Sequence, residues 1–160
     1  MSAVTNAAIP GIEEIRTMGE RNVIKAALLG AGTVGSGVYA LAEMLKDEMF
    51  QKTGANLEIK KVLVRNTKKE RPGIPKEVLT DNWKEILEDD EIQLVIELMG
   101  GVEPARTYIV EALETGKQVV TANKDVLAEY GQEILTLAEI MDAISSLRLP
   151  LQVRSRSSGR

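Results

Sequence analysis

The sequence predicts an α/β protein, a parallel β-sheet with helices on both faces. Two observations carry this. Four apolar, strand-like runs alternate with four stretches of helical periodicity, the pattern of successive strand–helix crossovers. The first of these strands runs straight into a glycine-rich turn that opens a long helix, with Gly30, Gly32 and Gly35 spaced G-x-G-x-x-G. That arrangement marks the first crossover of a doubly wound sheet.

Taken in order, residues 1–22 are small and polar with Pro10 and Gly11 as a breaker, and are expected to form a loosely held arm. "VIKAALLG" (23–30) is aliphatic enough for a buried strand. Residues 33–54 place Val34, Val38, Leu41, Ala42, Leu45 and Met49 at helical spacing, and Gly54 supplies a stop. "LEIKKVLVR" (57–65) reads as a second strand and 66–75 as a polar loop. Residues 81–90 predict a short helix with Asp81 or Asn82 as N-cap. "IQLVIELMGG" (92–101) is a third strand ending in a glycine pair. Residues 103–116 form a helix that opens at Pro104 and closes at Gly116. "KQVVTAN" (117–123) is the fourth strand and 124–140 the fourth helix. The architecture is therefore a Rossmann-like sheet.

Composition narrows the chemistry. The 160 residues carry a net charge of −4, no cysteine and no histidine. Disulfides, thiolate nucleophiles, Ser-His triads and zinc sites built on His or Cys are excluded, and no metal site is expected. There is no clustered basic face for nucleic acid. No apolar run approaches the roughly 20 residues of a membrane span, and no signal pattern opens the chain. A cytoplasmic protein with neither nucleic-acid nor membrane partners is expected.

The glycine loop points to a dinucleotide. Gly30 makes the tight turn, Gly32 lets backbone approach a pyrophosphate, and Gly35 lets the helix pack against the strand. Where the second strand ends, an acid would hold the ribose 2′-hydroxyl of NAD; here stands Arg65, followed by Asn66, Lys68 and Lys69. A guanidinium suits a 2′-phosphate, so NADP is preferred, with NAD possible. At the carboxyl ends of the third and fourth strands, Gly100 and Gly101 would let backbone pass close to a ribose. Thr121, Asn123 and Lys124 would bring a hydroxyl, an amide and an ammonium to the reacting end. Lys124 opens a helix, where a cation faces the positive end of the macrodipole.

"GAGTVGSGV", "KKVLVRN", "ELMGGVEPAR" and "GKQVVTANKDVLAEYGQE" together resemble homoserine dehydrogenase, the NAD(P)-dependent enzyme linking aspartate semialdehyde and homoserine in threonine and methionine biosynthesis. The resemblance runs from about Ile24 to Glu139. It implies a cofactor domain over 23–140, followed in the family by a substrate domain that also makes a dimer. By resemblance, Gly30, Gly32, Thr33, Val34 and Gly35 form the pyrophosphate loop and Arg65 contacts the 2′-phosphate. Gly100, Gly101, Thr121 and Asn123 wall the nicotinamide side. Lys124 is the catalytic lysine reaching cofactor and substrate, and the family's second lysine comes from the substrate domain.

Residues 141–160 do not fit this pattern. They hold four Arg against one Asp, hence +3, leaving −7 for the rest. The family continues with a strand resembling "FEASVAGGIPI". With synonymous codons chosen from Met141 onward, and read one base earlier from the last base of the Ile140 codon, these residues can be encoded by bases that spell "HGCDIFFEASVAGAIPIIRP". The tail is thus expected to be a frameshift product, the substrate domain to be absent, the sheet to be incomplete at its C-terminal end, and the 160-residue chain to bind cofactor without turnover. The alternatives are a genuine ending, with 147–153 alternating as a half-buried edge strand, a stand-alone nucleotide-binding or sensor module, and an unstable fragment without function.

Overall fold

The computed structural model describes the backbone of residues 23–155 and side chains through residue 145; the expected N-terminal arm and residues 156–160 lie outside them. The elements are β1 (Val23–Leu29), α1 (Thr33–Met44), α2 (Lys46–Thr53), β2 (Asn56–Leu63), a 3-10 turn (Lys76–Val78), β3 (Leu79–Thr80), α3 (Lys84–Leu87), β4 (Leu94–Glu97), α4 (Ala105–Glu114), β5 (Gln118–Thr121) and α5 (Lys124–Ser155). The strands form one parallel sheet in the order β3-β2-β1-β4-β5. The order reverses between β1 and β4, so the carboxyl ends of those two strands flank the crevice where ligands of such sheets sit.

The alternation of side chains along β1 builds two cores. Ala26 and Leu28 face α1 with Tyr39, Ala42, Ile59 and Val62. Ala27 and Leu29 face the other way, onto Leu63, Trp83, Ile86, Ile92, Val95 and Ala112. Alanines at both central positions let helices approach each face of the innermost strand. A third cluster, Ala105, Ile109, Leu113, Val126 and Ile134, joins α4 to α5. That helix pair is also held by Arg106, which donates to Glu133 at 2.7 Å and lies 4.3 Å from the centre of the Tyr130 ring.

A bulge in the β1–β2 register pairs Ala26 with Ile59 and Ala27 with Lys61, leaving Lys60 as the extra residue. Its ammonium donates to Asp89 at 2.6 Å and Glu91 at 2.5 Å, and Lys25 donates to Glu91 at 2.6 Å. The Lys60 hydrogen bond holds the Asp89 carboxyl below its ordinary range. Lys117, just before β5, is buried, and its ammonium donates to the carbonyls of Asp89 and Ile92 at 2.8 and 3.0 Å. Desolvation pushes its pKa down, against the attraction of Asp89 and Asp90.

Several boundaries differ from the sequence reading. The helix expected over 33–54 is two helices, because Leu45 leaves helical geometry (φ −100°, ψ 12°) and the second buries no residue against the core. The helix expected over 81–90 is the single turn α3, with Asn82 Oδ1 accepting the Lys84 N–H at 3.1 Å. The third strand stops at Glu97, since Gly100 and Gly101 take positive φ (65° and 77°) and turn the chain away. An unforeseen strand, β3, pairs with β2 at Val62–Leu79 and Leu63–Thr80. The last helix does not end at Ile140 but continues to Ser155, carried by the helix formers Met141, Ala143, Leu147 and Leu149. The edge-strand alternative over 147–153 is thereby corrected: its backbone is helical. At the other end of the sheet β5 is the last strand among the described residues, with Val120 55% exposed. No helix among the described residues is long and apolar enough to cross a membrane.

Candidate functional site

The glycine turn is built by contacts that exclude side chains. Gly30 has φ +96°, and its N–H donates to Leu63 O at 3.0 Å, tying the end of β1 to the end of β2. A Cβ on Gly35 would stand 2.1 Å from Gly30 O, well inside van der Waals contact, so the first turn of α1 rests directly on the loop. Gly32 is different: a Cβ there would meet nothing within 4 Å, so its bareness leaves the backbone open to a ligand. Gly32 is also the N-cap of α1, with no capping side chain and no acid in the first turn. Among the described residues, no capping side chain meets the N–H groups around Thr33, Val34 and Gly35, which form the electropositive end of the helix. Thr33 and Val34 are both exposed there.

Two cavities lie along the carboxyl ends of the strands. The larger, about 460 Å³, runs from Gly30, Ala31 and Gly32 past Val64 to Arg65 on one side and to Met99, Gly100 and Tyr108 on the other. The smaller, about 220 Å³, is lined by Val34, Leu98, Gly100, Ala122, Asn123, Lys124 and Asp125. Leu98 and Gly100 belong to both walls, so the two form a continuous trough with the glycine turn between a basic end and the Lys124 end.

At the basic end Arg65 is exposed. A residue that sequence reasoning missed, Arg71, joins it on the cavity wall. One nitrogen of Arg71, Nη1, donates to the carbonyls of Asn66 and Lys69, both at 2.9 Å, which folds the 66–75 loop back toward the cavity. Asp81 also lines this end, rather than capping a helix. Two guanidiniums against one carboxylate leave the wall net positive. Tyr108 forms part of the opposite wall and stacks on Trp83, ring centres 4.5 Å apart, while Trp83 Nε1 donates to Glu111 at 2.6 Å.

At the other end Lys124 is the first residue of α5 and is exposed, and among the described residues no carboxylate pairs with its ammonium. Asn123 is buried and uses both ends of its amide internally: Nδ2 donates to Gly101 O at 2.7 Å, and Oδ1 accepts the Val126 N–H at 3.2 Å. It therefore caps α5 and pins the Gly100–Gly101 turn. Thr121 donates its hydroxyl to Glu97 and accepts the Asn123 N–H; it lines neither cavity. The structure thus brings Gly30, Gly32, Arg65 and Gly100 to the large cavity, and Val34, Gly100, Asn123 and Lys124 to the small one. Thr33, Gly35, Gly101 and Thr121 line neither cavity. Glu97, fully buried at the end of β4, was missed as well. Its signal was present in the sequence, since an acid inside an otherwise apolar strand is rare unless partnered.

Residues 30–144 match the family model described as homoserine dehydrogenase, NAD binding domain. Homoserine dehydrogenase of Bacillus subtilis (strain 168) is 45% identical over 117 residues, covering 72% of this chain and 27% of that protein. Homoserine dehydrogenase of Corynebacterium glutamicum is 35% identical over 136 residues, covering 85% of this chain and 30% of that one. The crystal structure of S. aureus homoserine dehydrogenase at pH 6.0 is similar with a TM-score of 0.71 and 40% identity, over 76% of this chain and 32% of that chain. The chain spans under a third of the length of these relatives. Its sheet order, its glycine turn and these matches together mean that the chain belongs to the homoserine dehydrogenase family, as its NAD-binding domain.

Proposed function

We propose that the chain binds NADP(H) in preference to NAD(H) in the trough, as the cofactor-binding domain of an enzyme that interconverts homoserine and aspartate semialdehyde. The observation that carries this is the larger cavity, with uncapped helix N–H groups behind a bare Gly32 and two guanidiniums at its far end. The residues present fit the group: the Gly30–Gly35 turn would take the pyrophosphate, Arg65 with Arg71 the 2′-phosphate, and Gly100 the nicotinamide ribose. When bound, the cofactor supplies hydride transfer at its nicotinamide. Lys124 would place an unpaired ammonium beside the reacting end, where it attracts the substrate oxygen. Asn123 holds the helix that carries it.

Trp83 is the single tryptophan and stacks on the cavity-lining Tyr108, so its emission reports NADPH by energy transfer. Titration is expected to give NADPH binding about tenfold tighter than NADH, a difference of about 1.4 kcal/mol. Arg65→Ala should erase most of that preference while leaving NADH nearly unchanged, because a charge-assisted contact to the 2′-phosphate is lost. Equal affinities in the unsubstituted protein would overturn the NADP preference. Homoserine-dependent NADPH production by the 160-residue chain is expected to be undetectable; clear turnover would sink that part of the reading.

We further propose that residues 141–160 arise from a shifted reading frame. The support is the family-like segment spelled one base earlier, set against a tail whose charge opposes that of the remaining residues. Sequencing the coding DNA across codons 130 to 170 and beyond is expected to show the shifted frame open into a substrate domain. A stop in both frames soon after codon 160 would refute it.

A further inference from the structure

Glu97 is 0% exposed, yet none of the described lysines or arginines pairs with it. Its oxygens act as acceptors for two neighbours: Oε1 takes the Met99 N–H at 2.7 Å, and Oε2 takes the Thr121 hydroxyl at 2.5 Å. Thr121 has one hydroxyl proton and gives it to Glu97, and its oxygen in turn accepts the Asn123 N–H at 3.0 Å. Asn123 then spends both ends of its amide on Gly101 O and the Val126 N–H. The chain of bonds thus joins the end of β4, the Met99–Gly101 turn, the end of β5 and the first turn of α5. Gly100 and Lys124, at its two extremities, line the same small cavity.

We propose that Glu97 is a positioning residue for this cavity: through Thr121 and Asn123 it sets the separation between the Gly100–Gly101 turn and the Lys124 helix start. The turn needs such a tether, because two consecutive glycines at positive φ have no side chains to hold them. An apolar residue at position 97 would fill the strand as well, but would take the acceptors from the Met99 N–H and the Thr121 hydroxyl, both partly buried. An amide would also fail, since a glutamine oxygen and its NH₂ cannot both accept. With Glu97→Gln, Thr121 must surrender its proton elsewhere or lose its partner, and the Asn123 contact goes with it. The inference rests on the cofactor reading for its ligand, but the geometry it claims belongs to the protein alone.

Two measurements on the full chain separate those parts. The first compares NADPH with 2′,5′-ADP, which carries the adenosine end and no nicotinamide. Glu97→Gln is expected to weaken NADPH about tenfold or more, the scale of a lost hydrogen bond to a charged group, and 2′,5′-ADP less than about twofold. Equal losses for both ligands, or no loss for either, would overturn the proposal. The second is amide hydrogen exchange without nucleotide. Met99, Asn123 and Val126 are expected to exchange faster in Glu97→Gln, with β1 and β2 unchanged; unaltered rates at those three positions, or uniform loosening of the sheet, would also overturn it. If the unsubstituted chain binds neither nucleotide, the cofactor reading fails and the exchange result still decides the positioning claim. Should Glu97→Gln not fold, Thr121→Ser and Thr121→Val supply the same contrast: the hydroxyl-bearing variant keeps the exchange pattern, and the valine variant loses it at Asn123.

Discussion

Gly35→Ala is expected to abolish tight nucleotide binding. The added methyl carbon would lie 2.1 Å from Gly30 O and 3.0 Å from Gly30 C, both backbone atoms that cannot rotate aside. Relief requires the start of α1 to move away from the turn, and overpacking of this kind costs about 1–3 kcal/mol. A ligand that needs the native spacing must restore it, which corresponds to a loss of roughly ten- to hundredfold in affinity. Gly37→Ala is the matched control. It lies on the same helix, where a Cβ would meet nothing within 4 Å, and should stabilise by about 0.5–1 kcal/mol through helix propensity. Titration and thermal melts of the two variants check the contrast. Unchanged binding in Gly35→Ala would mean that the loop does not hold the pyrophosphate.

Leu28→Ala should give the largest loss of stability, about 2–5 kcal/mol. Leu28 is 0% exposed in the centre of β1 and packs in the core under α1. Its Cδ2 lies 3.9 Å from where a Gly35 Cβ would stand. Folded domains have only about 5–15 kcal/mol to lose, so a melting temperature lower by roughly 10 °C is expected for a chain of this size. Because Leu28 supports the helix that carries the glycine loop, nucleotide at saturating concentration should recover part of the loss by mass action. A melt with and without NADPH measures both effects. A shift of only a degree or two would show that α1 settles into the space.

The parts of the site that were legible in the sequence are those whose reason is local. Gly30, Gly32 and Gly35 could be read because a tight turn, a bare backbone and a close helix each require glycine within six residues of chain. Arg65 could be read because it follows a strand of evident periodicity. Lys124 could be read because it stands where an apolar strand run gives way to a helix. Arg71 and β3 could not. Arg71 reaches the cavity through a loop closed by its own bonds to Asn66 and Lys69 carbonyls, and β3 is two residues long, too short for any period to show. The single long helix expected over 33–54 failed for a related reason. Its apolar spacing continues to Met49, but no core lies beneath the second half to keep it straight.

By itself the sequence determined the parallel α/β alternation, the place of the glycine turn and the family to which these motifs belong. Each follows from short-range periodicity, or from residues whose backbone freedom is intrinsic. The tertiary structure alone decided which polar groups face one another. Thr121 and Asn123 read as cavity walls; Asn123 does line the small cavity, but Thr121 gives its hydroxyl to Glu97, and Asn123 donates to Gly101 O and accepts the Val126 N–H. The bonds from Thr121 to Glu97 and from Asn123 to Gly101 join residues more than twenty positions apart, and they exist because parallel pairing of Glu97 with Thr121 lays the two strand ends side by side. No local pattern encodes a hydrogen bond that only strand register brings within reach.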